Sequence, residues 1–424
     1  MCTNLCSLVI FIQCILLMQT SSQDVPSYDS NVHLVAVSVI YRHGDRSPFQ
    51  PYPKDPYRDP KYWPMGYAQL TNIGKMQQYH LGQYLRNRYD NFLSKEYNHT
   101  EIYVRSTDTD RTLMSAESNL AGLYPPTADQ TWNIHLSWQP IPIHTEPGEE
   151  DYLLAMKKPC EKYQQLYETL MNDDEFVEIR RKNSNLYKNL SKNSGQKIDN
   201  LVMLQNLYNV LYIEDLYNFT LPEWTKAVYP EPLKQWSDFS FKTATYTTDL
   251  ARLKTGPLLN EIAAHFTNAT MQHSKRFHMY SAHDTTIADI LNTLGLFELH
   301  CPPYTATIFF ELWVQNNSYY VNIFYKNSSE PQHMKLKGCE FNCPWDQFLE
   351  IIRPVRMNYD EWEFACQPKF LGVMPFNTLQ SGIFTGCMGL LFILLCSFII
   401  SLMCTRRRRR SNVDYLRLPS DELS

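Results

Sequence analysis

Two arginines and a histidine lie close together in the segment RHGDRSP, residues 42–48. A guanidinium group can bind two phosphate oxygens at once and does not lose its proton, so Arg42 and Arg46 are suited to hold an anion. A neutral imidazole at His43, between them, is suited to attack phosphorus. Taken alone, RHGD could equally be a surface loop in which an arginine pairs with an aspartate.

Two distant segments add residues of the same kind. The segment RSTDTDRT, residues 105–112, places Arg111 in the first turn of a predicted helix, and a helix N-terminus favours an anion. His283 and Asp284 follow another predicted strand and add an imidazole and a carboxylic acid. The three segments together favour a phosphate-binding site over a surface loop.

The elements that must position these segments are strands followed by helices. Residues 33–41 form an apolar, β-branched run typical of a buried strand, and RHGDRSP begins where this run ends. Strands at 101–105 and 277–280 are predicted to lead into helices in the same way. Such units predict an α/β fold, a doubly wound mixed sheet with helices on both faces. Ligands of these sheets lie beyond the carboxyl ends of strands, so the three charged segments should meet in one crevice.

Helices and a hairpin complete the predicted α/β domain. The helices are expected at 71–89, at 108–120 with Asp108 as its cap, and at 285–294, and the hairpin strands at 305–315 and 319–325.

A helical insertion is predicted inside the α/β domain. Between residues 148 and 250 strand signals disappear and helical spacing dominates. We therefore expect a helical cap at 148–250, inserted into an α/β domain formed by residues 24–147 and 251–374.

The first 23 residues are predicted to be a secretory signal peptide. Leu5 to Met18 is apolar and is followed by small and polar residues where a signal peptidase could cut, although the usual basic start is missing. A buried N-terminal helix is the alternative, but no polar residues give this stretch a second face.

Residues 382–404 are predicted to cross a membrane once. The stretch is uncharged, and its 23 residues, at 1.5 Å each in a helix, exceed roughly 30 Å of hydrocarbon. Five arginines, Arg406–Arg410, follow and should stay in the cytosol, where they should also attract anionic lipid. This predicts a single-pass type I protein with a stalk at 375–381 and a cytosolic tail at 405–424. A core helix is the alternative, but it would have to bury its arginine-rich end.

The distribution of charge argues against nucleic acid as a partner. The formal net charge is −5, and the tail carries six arginines against three acidic residues, so the rest of the chain carries about −8. That acidic balance argues against a nucleic-acid partner.

Five cysteines lie between the predicted signal and the predicted span, where an oxidising compartment favours disulfides and leaves one thiol over. Zinc is the alternative, but Cys339 and Cys343 lack a second close pair. No metal cluster is evident, and no cofactor is predicted. Six Asn-x-Ser/Thr sequons are consistent with a glycosylated luminal part, at Asn98, Asn189, Asn218, Asn268, Asn316 and Asn327.

The motifs RHGDRSP, RSTDTDRTLMSA and MYSAHDTT together resemble those of the histidine acid phosphatases, over essentially the whole predicted luminal part. The resemblance implies a phosphoglycerate mutase-like fold and hydrolysis of phosphomonoesters through a phosphohistidine. His43 would be the nucleophile and Asp284 the general acid, and the phosphoryl oxygens would be surrounded by Arg42, Arg46, Arg111 and His283. Because Asp284 must be protonated and His43 unprotonated, activity should have an acidic optimum.

The resemblance also implies two disulfides, Cys339–Cys343 and Cys160–Cys366. The positions of the family's third pair are Ile213 and Thr307 here. Cys301 has no counterpart and is expected to be free or to pair between chains. Relatives are often dimers, so a homodimer remains open.

The tail contains Tyr415 and Leu418 in a Tyr-x-x-bulky-apolar sequence, the pattern of an endocytic sorting signal. It predicts recognition by a clathrin adaptor and delivery to endosomal and lysosomal membranes, with the cell surface as a further location. Two other functions remain as alternatives: a phytase or inositol polyphosphate phosphatase of the same superfamily, and a non-catalytic receptor for phosphorylated ligands. A receptor would fit a sequence lacking His43 or Asp284, and this one has both.

Overall fold

The computed structural model describes residues 32–271, 275–367 and 388–403 of the 424-residue chain. The chain divides into two compact units, residues 1–366 and residues 367–424. The predicted signal peptide, stalk and cytosolic tail, with Tyr415 and Leu418, lie outside the described residues.

A mixed sheet forms the centre of the first unit. Its strand order is β2-β3-β1-β4-β5-β6, and β7 pairs with β5. Strand β3 lies between β2 and β1 and is parallel to both, whereas β1–β4, β4–β5, β5–β6 and β5–β7 are antiparallel. The strands are β1 (Val32–Arg42), β2 (Ile102–Ser106), β3 (Phe277–Ala282), β4 (Thr307–Gln315), β5 (Ser318–Lys326), β6 (Gln332–Met334) and β7 (Cys343–Pro344).

Helices cover both faces of this sheet. In the described part of the first unit the α-helices are α1 (Asn72–Arg88), α2 (Asp110–Leu123), α3 (Glu161–Met171), α4 (Asp174–Lys182), α5 (Ser184–Ser194), α6 (Leu201–Leu216), α7 (Leu233–Thr243), α8 (Thr248–Thr270), α9 (Asp284–Thr293), α10 (Trp345–Ile352) and α11 (Tyr359–Cys366). The helices that pack on the sheet include α1, α2, α8, α9 and α10.

Alternate side chains of β1 belong to two different cores, because successive residues of a strand point to opposite faces. Ala36 and Ile40 pack with residues of α8, α9 and α10. Val37, Val39 and Tyr41 pack with residues of α1 and α2 on the other face. Buried on both faces, β1 has the continuous apolar sequence that predicted it.

The predicted α/β fold with a mixed sheet and helices on both faces is confirmed. The predicted hairpin is β4–β5, and its turn residues Asn316 and Asn317 both have positive φ, as a tight two-residue hairpin turn requires. Helices α3 to α7 fall within residues 148–250; we call these five helices, residues 161–243, the cap.

The predicted cap residue of helix α2 is wrong. We expected Asp108, but the helix begins at Asp110 with Thr109 as its extended N-cap residue, and no side chain caps the first turn. Strand β2 ends at Ser106, one residue later than predicted, and the start of the helix is displaced by one residue with it.

Two disulfides tie the first unit together. Cys160, before α3, is bonded to Cys366 at the end of α11, and Cys339 is bonded to Cys343. These are the pairs that the family resemblance implies. Cys301 is a free thiol. Of the sequon residues, Asn98 is half-buried and the other five are exposed: Asn189, Asn218, Asn268, Asn316 and Asn327.

Residues 388–403 of the second unit form a helix. It covers part of the predicted span 382–404, whose remaining residues lie outside the described ranges. No helix in the described part of the chain is both long enough and apolar enough to cross a membrane. The single-pass span therefore stays a prediction from the sequence.

Candidate active site

Three neighbouring parallel strands end at one edge of the sheet. Arg42 at the end of β1 pairs in register with Ala282 at the end of β3, and Ser106 of β2 pairs with Ser281 of β3. The charged segments that follow these strands therefore begin side by side. This is the carboxyl edge at which open α/β sheets bind ligands.

His43 is held in one tautomer at this edge. Its side chain is 1% exposed, and Nδ1 donates to the carbonyl of Gly44 at 2.7 Å, which leaves Nε2 unprotonated. Burial, followed by the positive charges of Arg42 and Arg111, lowers the pKa of His43 well below its usual value. The imidazole therefore stays neutral in acid and can act as a nucleophile there.

Gly44 allows the loop to pass directly against helix α1. A Cβ atom at this position would lie 2.3 Å from the carbonyl oxygen of Gly74, which is a severe clash. The loop that carries His43 is thus packed against the helix and held in place by it.

Arg42 and Asp284 form a buried ion pair. Arg42 Nη2 lies 2.7 Å from Asp284 Oδ2, and the two side chains are 4% and 18% exposed. Burial would lower the pKa of Arg42, but the Asp284 carboxylate together with Cys301 and Tyr304 outweighs burial and the pKa is raised. Conversely, burial would raise the pKa of Asp284, but the Arg42 and Arg46 cations hold it below its usual value. Asp284 is therefore ionised as long as Arg42 is its partner.

Arg111 and His283 also lie near His43. Arg111 Nη2 donates to His283 Nδ1 at 3.3 Å, so His283 Nε2 carries the proton and donates to Thr107 Oγ1 at 3.0 Å. Burial and the adjacent Arg111 cation lower the pKa of His283 to about 3. Burial and Arg46 lower the pKa of Arg111 to about 10, at which it remains a cation. The rings of His43 and His283 are 5.8 Å apart between centroids.

Arg46 is oriented by the cap. Its Nη2 donates to Asn209 Oδ1 on helix α6 at 2.9 Å, and its Nη1 donates to the carbonyl of Ser47 at 2.9 Å. The neighbouring Asp45 accepts hydrogen bonds from the hydroxyls of Thr71 and Tyr217. The segment RHGDRSP is thus fixed from the α/β domain and from α6 together.

Several buried donors at this edge have no acceptor among the described residues. They are the Nε groups of Arg42, Arg46 and Arg111 and the hydroxyl of Tyr304. Buried N–H and O–H groups normally have hydrogen-bond partners, so this arrangement favours a ligand rich in oxygen acceptors, such as phosphate. In the described ranges no cluster of three or more His, Cys, Asp or Glu side chains could hold a metal ion.

A cavity of about 360 Å³ opens beside Arg42. The loop of residues 300–304, including Cys301 and Tyr304, forms one wall, and α6 and α7 of the cap form the other. Cys301 Sγ lies 3.8 Å from Arg42 Nη1, and the Arg42 guanidinium lies 4.4 Å from the centre of the Tyr304 ring. The other residues that line the cavity are Gln205, Tyr208, Asn209, Tyr212, Lys234, Ser237, Asp238, Phe241, His300, Pro303 and Asn327.

The structure brings all six residues named from the three motifs to one place: Arg42, His43, Arg46, Arg111, His283 and Asp284. Tyr304, Asn209 and Thr107 also belong to the site and were not predicted from the sequence. Thr107 lies within the motif RSTDTDRT and could have been named from its place at a strand end. Tyr304 and Asn209 come from a loop and from the cap, and no sequence signal marks them.

The model of the histidine phosphatase superfamily (branch 2) matches residues 33–326. Prostatic acid phosphatase of Bos taurus is 38% identical over 353 residues, which is 81% of this chain and 90% of that protein. Lysosomal acid phosphatase of Rattus norvegicus is 40% identical over 339 residues, 78% of this chain and 79% of that protein.

Solved structures show the same fold. The phytase of Hafnia alvei in complex with tartrate superposes with a TM-score of 0.59 at 19% identity, over 80% of this chain and 100% of that chain. The phytase of Citrobacter braakii has a TM-score of 0.58 at 17% identity, over 76% and 98%. At these identities the likeness concerns the fold alone.

The fold and the site define an α/β phosphate-transfer protein with a histidine at its centre. The chain belongs to the histidine phosphatase superfamily, branch 2. The predicted histidine acid phosphatase, a hydrolase of phosphomonoesters, is confirmed.

Proposed function

We propose that His43 is the nucleophile and Asp284 the proton donor of this acid phosphatase. The observation that carries the proposal is the neutral imidazole of His43 among three arginines, with its Nδ1 proton on the Gly44 carbonyl and Nε2 unprotonated. Phosphoryl transfer depends chiefly on positioning and charge stabilisation, and this site supplies both.

In the first step His43 Nε2 attacks phosphorus and the bond from phosphorus to the leaving oxygen breaks. Arg42, Arg46 and Arg111 stabilise the negative charge on the other phosphoryl oxygens. The positive charge that develops on the imidazole is stabilised through the hydrogen bond from Nδ1 to the Gly44 carbonyl. The leaving oxygen takes a proton from Asp284 and departs as an alcohol.

Asp284 obtains its proton when the substrate binds. In the ion pair with Arg42 it is ionised, but a phosphoryl group that engages Arg42 takes away that partner and adds negative charge nearby. Both changes raise the pKa of Asp284. A substrate that arrives as the monoanion, which predominates below the second phosphate pKa of about 6, brings the proton with it.

In the second step a water molecule attacks the phosphohistidine and the bond from phosphorus to Nε2 breaks. Asp284, now a carboxylate, accepts the proton of this water. Phosphate leaves as the monoanion with the proton from Asp284, so His43 is neutral again and Asp284 returns to its ion pair with Arg42.

The cavity beside Arg42 is proposed to hold the leaving group. Aromatic side chains of Tyr208, Tyr212, Phe241 and Tyr304 line it, and flat apolar groups pack well on such surfaces. This supports aryl phosphates as good substrates.

The proposed location is the lumen of lysosomes or endosomes. The predicted signal and span support a luminal catalytic unit, and the name lysosomal acid phosphatase of several relatives agrees with this compartment. Glycans on the six sequons and adaptor binding through Tyr415 and Leu418 belong to the same proposal.

The nucleophile can be tested by trapping the intermediate. The purified protein is mixed with a radiolabelled aryl phosphate near pH 5 without added metal, and the reaction is quenched in alkali, in which phosphohistidine survives. We expect label on the protein for the wild type and none for His43→Ala, which should also lose hydrolysis. Label that persists in His43→Ala would exclude this nucleophile.

A further inference from the structure

Two carboxyl groups lie buried against each other between the cap and the loop of residues 48–63. Glu214, on helix α6, has no exposed surface, and Asp55, on the loop, is 3% exposed. Each of the two carboxyl groups acts on the ionisation of the other. Both oxygens of Glu214 are buried without a hydrogen-bond partner among the described residues.

A buried carboxylate without hydrogen-bond donors is costly, and more so near a second carboxylate, so one of the two groups keeps its proton. Asp55 accepts from the backbone N–H of Tyr57 at 2.6 Å, which favours its ionised form, so Glu214 is the member that carries the proton. The charged and titratable groups around the pair belong to the loop and its continuation: Tyr52, Tyr57 and Tyr67, together with Arg58, which acts on Asp55. Burial and the Asp55 carboxylate raise the pKa of Glu214 to about 9.

The pair joins the loop to the helix that orients Arg46. The loop also meets the cap through Lys54, whose N–H donates to the Ser194 carbonyl at 3.0 Å, and through Tyr57, whose hydroxyl donates to the Thr220 carbonyl at 2.7 Å. Helix α6 carries Asn209, the acceptor of Arg46. A loop detached from α6 would therefore loosen the support of one arginine of the phosphate site.

We propose that Asp55 and Glu214 are positioning residues: the proton on Glu214 lets the loop stay on helix α6 in acid, and its loss at higher pH releases the loop and weakens the hold on Arg46. The consequence for Arg46 rests on the proposed function, whereas the release of the loop does not.

Proton linkage gives the size of the effect. In the detached loop both carboxyl groups reach water and Glu214 titrates near its ordinary value of 4.5, whereas the docked form keeps the proton up to about 9. The detached form therefore binds fewer protons between these values. The equilibrium constant for detachment then rises with pH, by up to tenfold per pH unit.

Hydrogen exchange of the full-length protein measures detachment directly. We would compare wild type with Glu214→Gln at pH 5, 6, 7 and 8, because the Gln amide is uncharged, like protonated Glu214, and does not titrate. Comparison at equal pH cancels the intrinsic exchange chemistry. The reporter is the peptide that contains the amides of Lys54, Asp55 and Tyr57.

The expected result is an exchange ratio of wild type to Glu214→Gln that rises with pH, approaching tenfold per unit. Asp215→Asn is the matched control, because it removes an exposed carboxylate at the next position of α6 and should behave as wild type. A ratio that stays constant from pH 5 to pH 8 overturns the proposal. If Glu214→Gln does not fold, Asp55→Asn replaces it, since its amide can donate to Glu214 while still accepting from Tyr57, and the same ratio decides.

The effect on the phosphate site is read from KM for an aryl phosphate in the same variants. The ratio of KM for wild type to KM for Glu214→Gln should rise with pH together with the exchange ratio. A rising exchange ratio with a constant KM ratio would overturn the positioning role and leave only a loop contact. A wild-type protein without phosphatase activity would instead overturn the proposed function, and the exchange result would stand by itself.

Discussion

The Arg42 guanidinium lies 2.7 Å from the Asp284 carboxylate, so the proposed acid of the site is bound to one of the groups proposed to hold phosphate. Arg42 is the last residue of β1, and Asp284 comes shortly after the end of the adjacent parallel strand β3. The register of β1 with β3 therefore brings the two residues together. In the proposed mechanism, substrate and Asp284 compete for the same cation. Asp284 is then protonated as a consequence of substrate binding and not in the free enzyme.

Asp284→Asn tests this role through the leaving group. The amide cannot donate a proton that is transferred to an alkoxide, so alkyl phosphates, which have poor leaving groups, should be hydrolysed about 10²–10⁴-fold more slowly. Aryl phosphates with acidic phenols need little protonation and should change much less. The measurement is kcat/KM across phosphates of graded leaving-group pKa. Equal slowing of all substrates would remove Asp284 from the acid role.

Arg111→Met tests the electrostatic control of the two histidines. The Arg111 cation contributes to the lowered pKa values of both His43 and His283, so its removal should raise both of them. The acid limb of the kcat/KM profile should then move to higher pH, because His43 is protonated earlier. Histidine titrations followed by NMR give the pKa values directly. Arg353→Met, at an exposed arginine far along the chain, is the control, and identical titrations in the two variants would contradict the assignment.

The sequence predicted the fold and the six motif residues because they depend on local patterns. An apolar run, a charged turn and a helix recur three times, and parallel strands bring such turns to one edge. Asn209 and Tyr304 could not be predicted in this way, since their place beside Arg46 and Arg42 depends on how the cap and the loop of residues 300–304 pack on the sheet. The proximity of Asp55 and Glu214 could not be predicted for the same reason. The two residues are far apart in the sequence, and each taken alone resembles an ordinary surface acid.

The two disulfides should differ in their effect on stability. Cys160 and Cys366 are 206 residues apart, whereas Cys339 and Cys343 are four apart. Cross-linking the longer loop restricts the unfolded chain more, and loop entropy gives about 5 kcal/mol for the first bond and about 2 kcal/mol for the second. Replacing each pair by serines and measuring denaturant unfolding at neutral pH tests this order. Equal losses of unfolding free energy would show that native packing around the bonds, rather than chain entropy, determines how much each bond stabilises the protein.

His265 should make the protein less stable as the pH falls. It is 3% exposed, its Nε2 donates to the Lys275 carbonyl at 2.8 Å, and its Nδ1 accepts from the Ser38 hydroxyl at 2.8 Å, so the ring is neutral. The ring of His278 is stacked on it at 3.5 Å. Burial lowers the pKa of His265 to about 4.

Because the folded pKa lies below the unfolded value of about 6.5, the unfolded chain binds more protons between these values. The stability contributed by the neutral ring is complete above pH 6.5 and is lost by up to about 1.4 kcal/mol per pH unit as the pH falls toward 4. His265→Gln keeps one donor and one acceptor but does not titrate, so its unfolding free energy should fall less steeply between pH 6.5 and 4. The same substitution at the exposed His80 of α1 is the control. Parallel stability curves for wild type and His265→Gln would show that this ring does not contribute to acid lability, and that the buried polar contacts of Ser38 and Lys275 accept a charged imidazole.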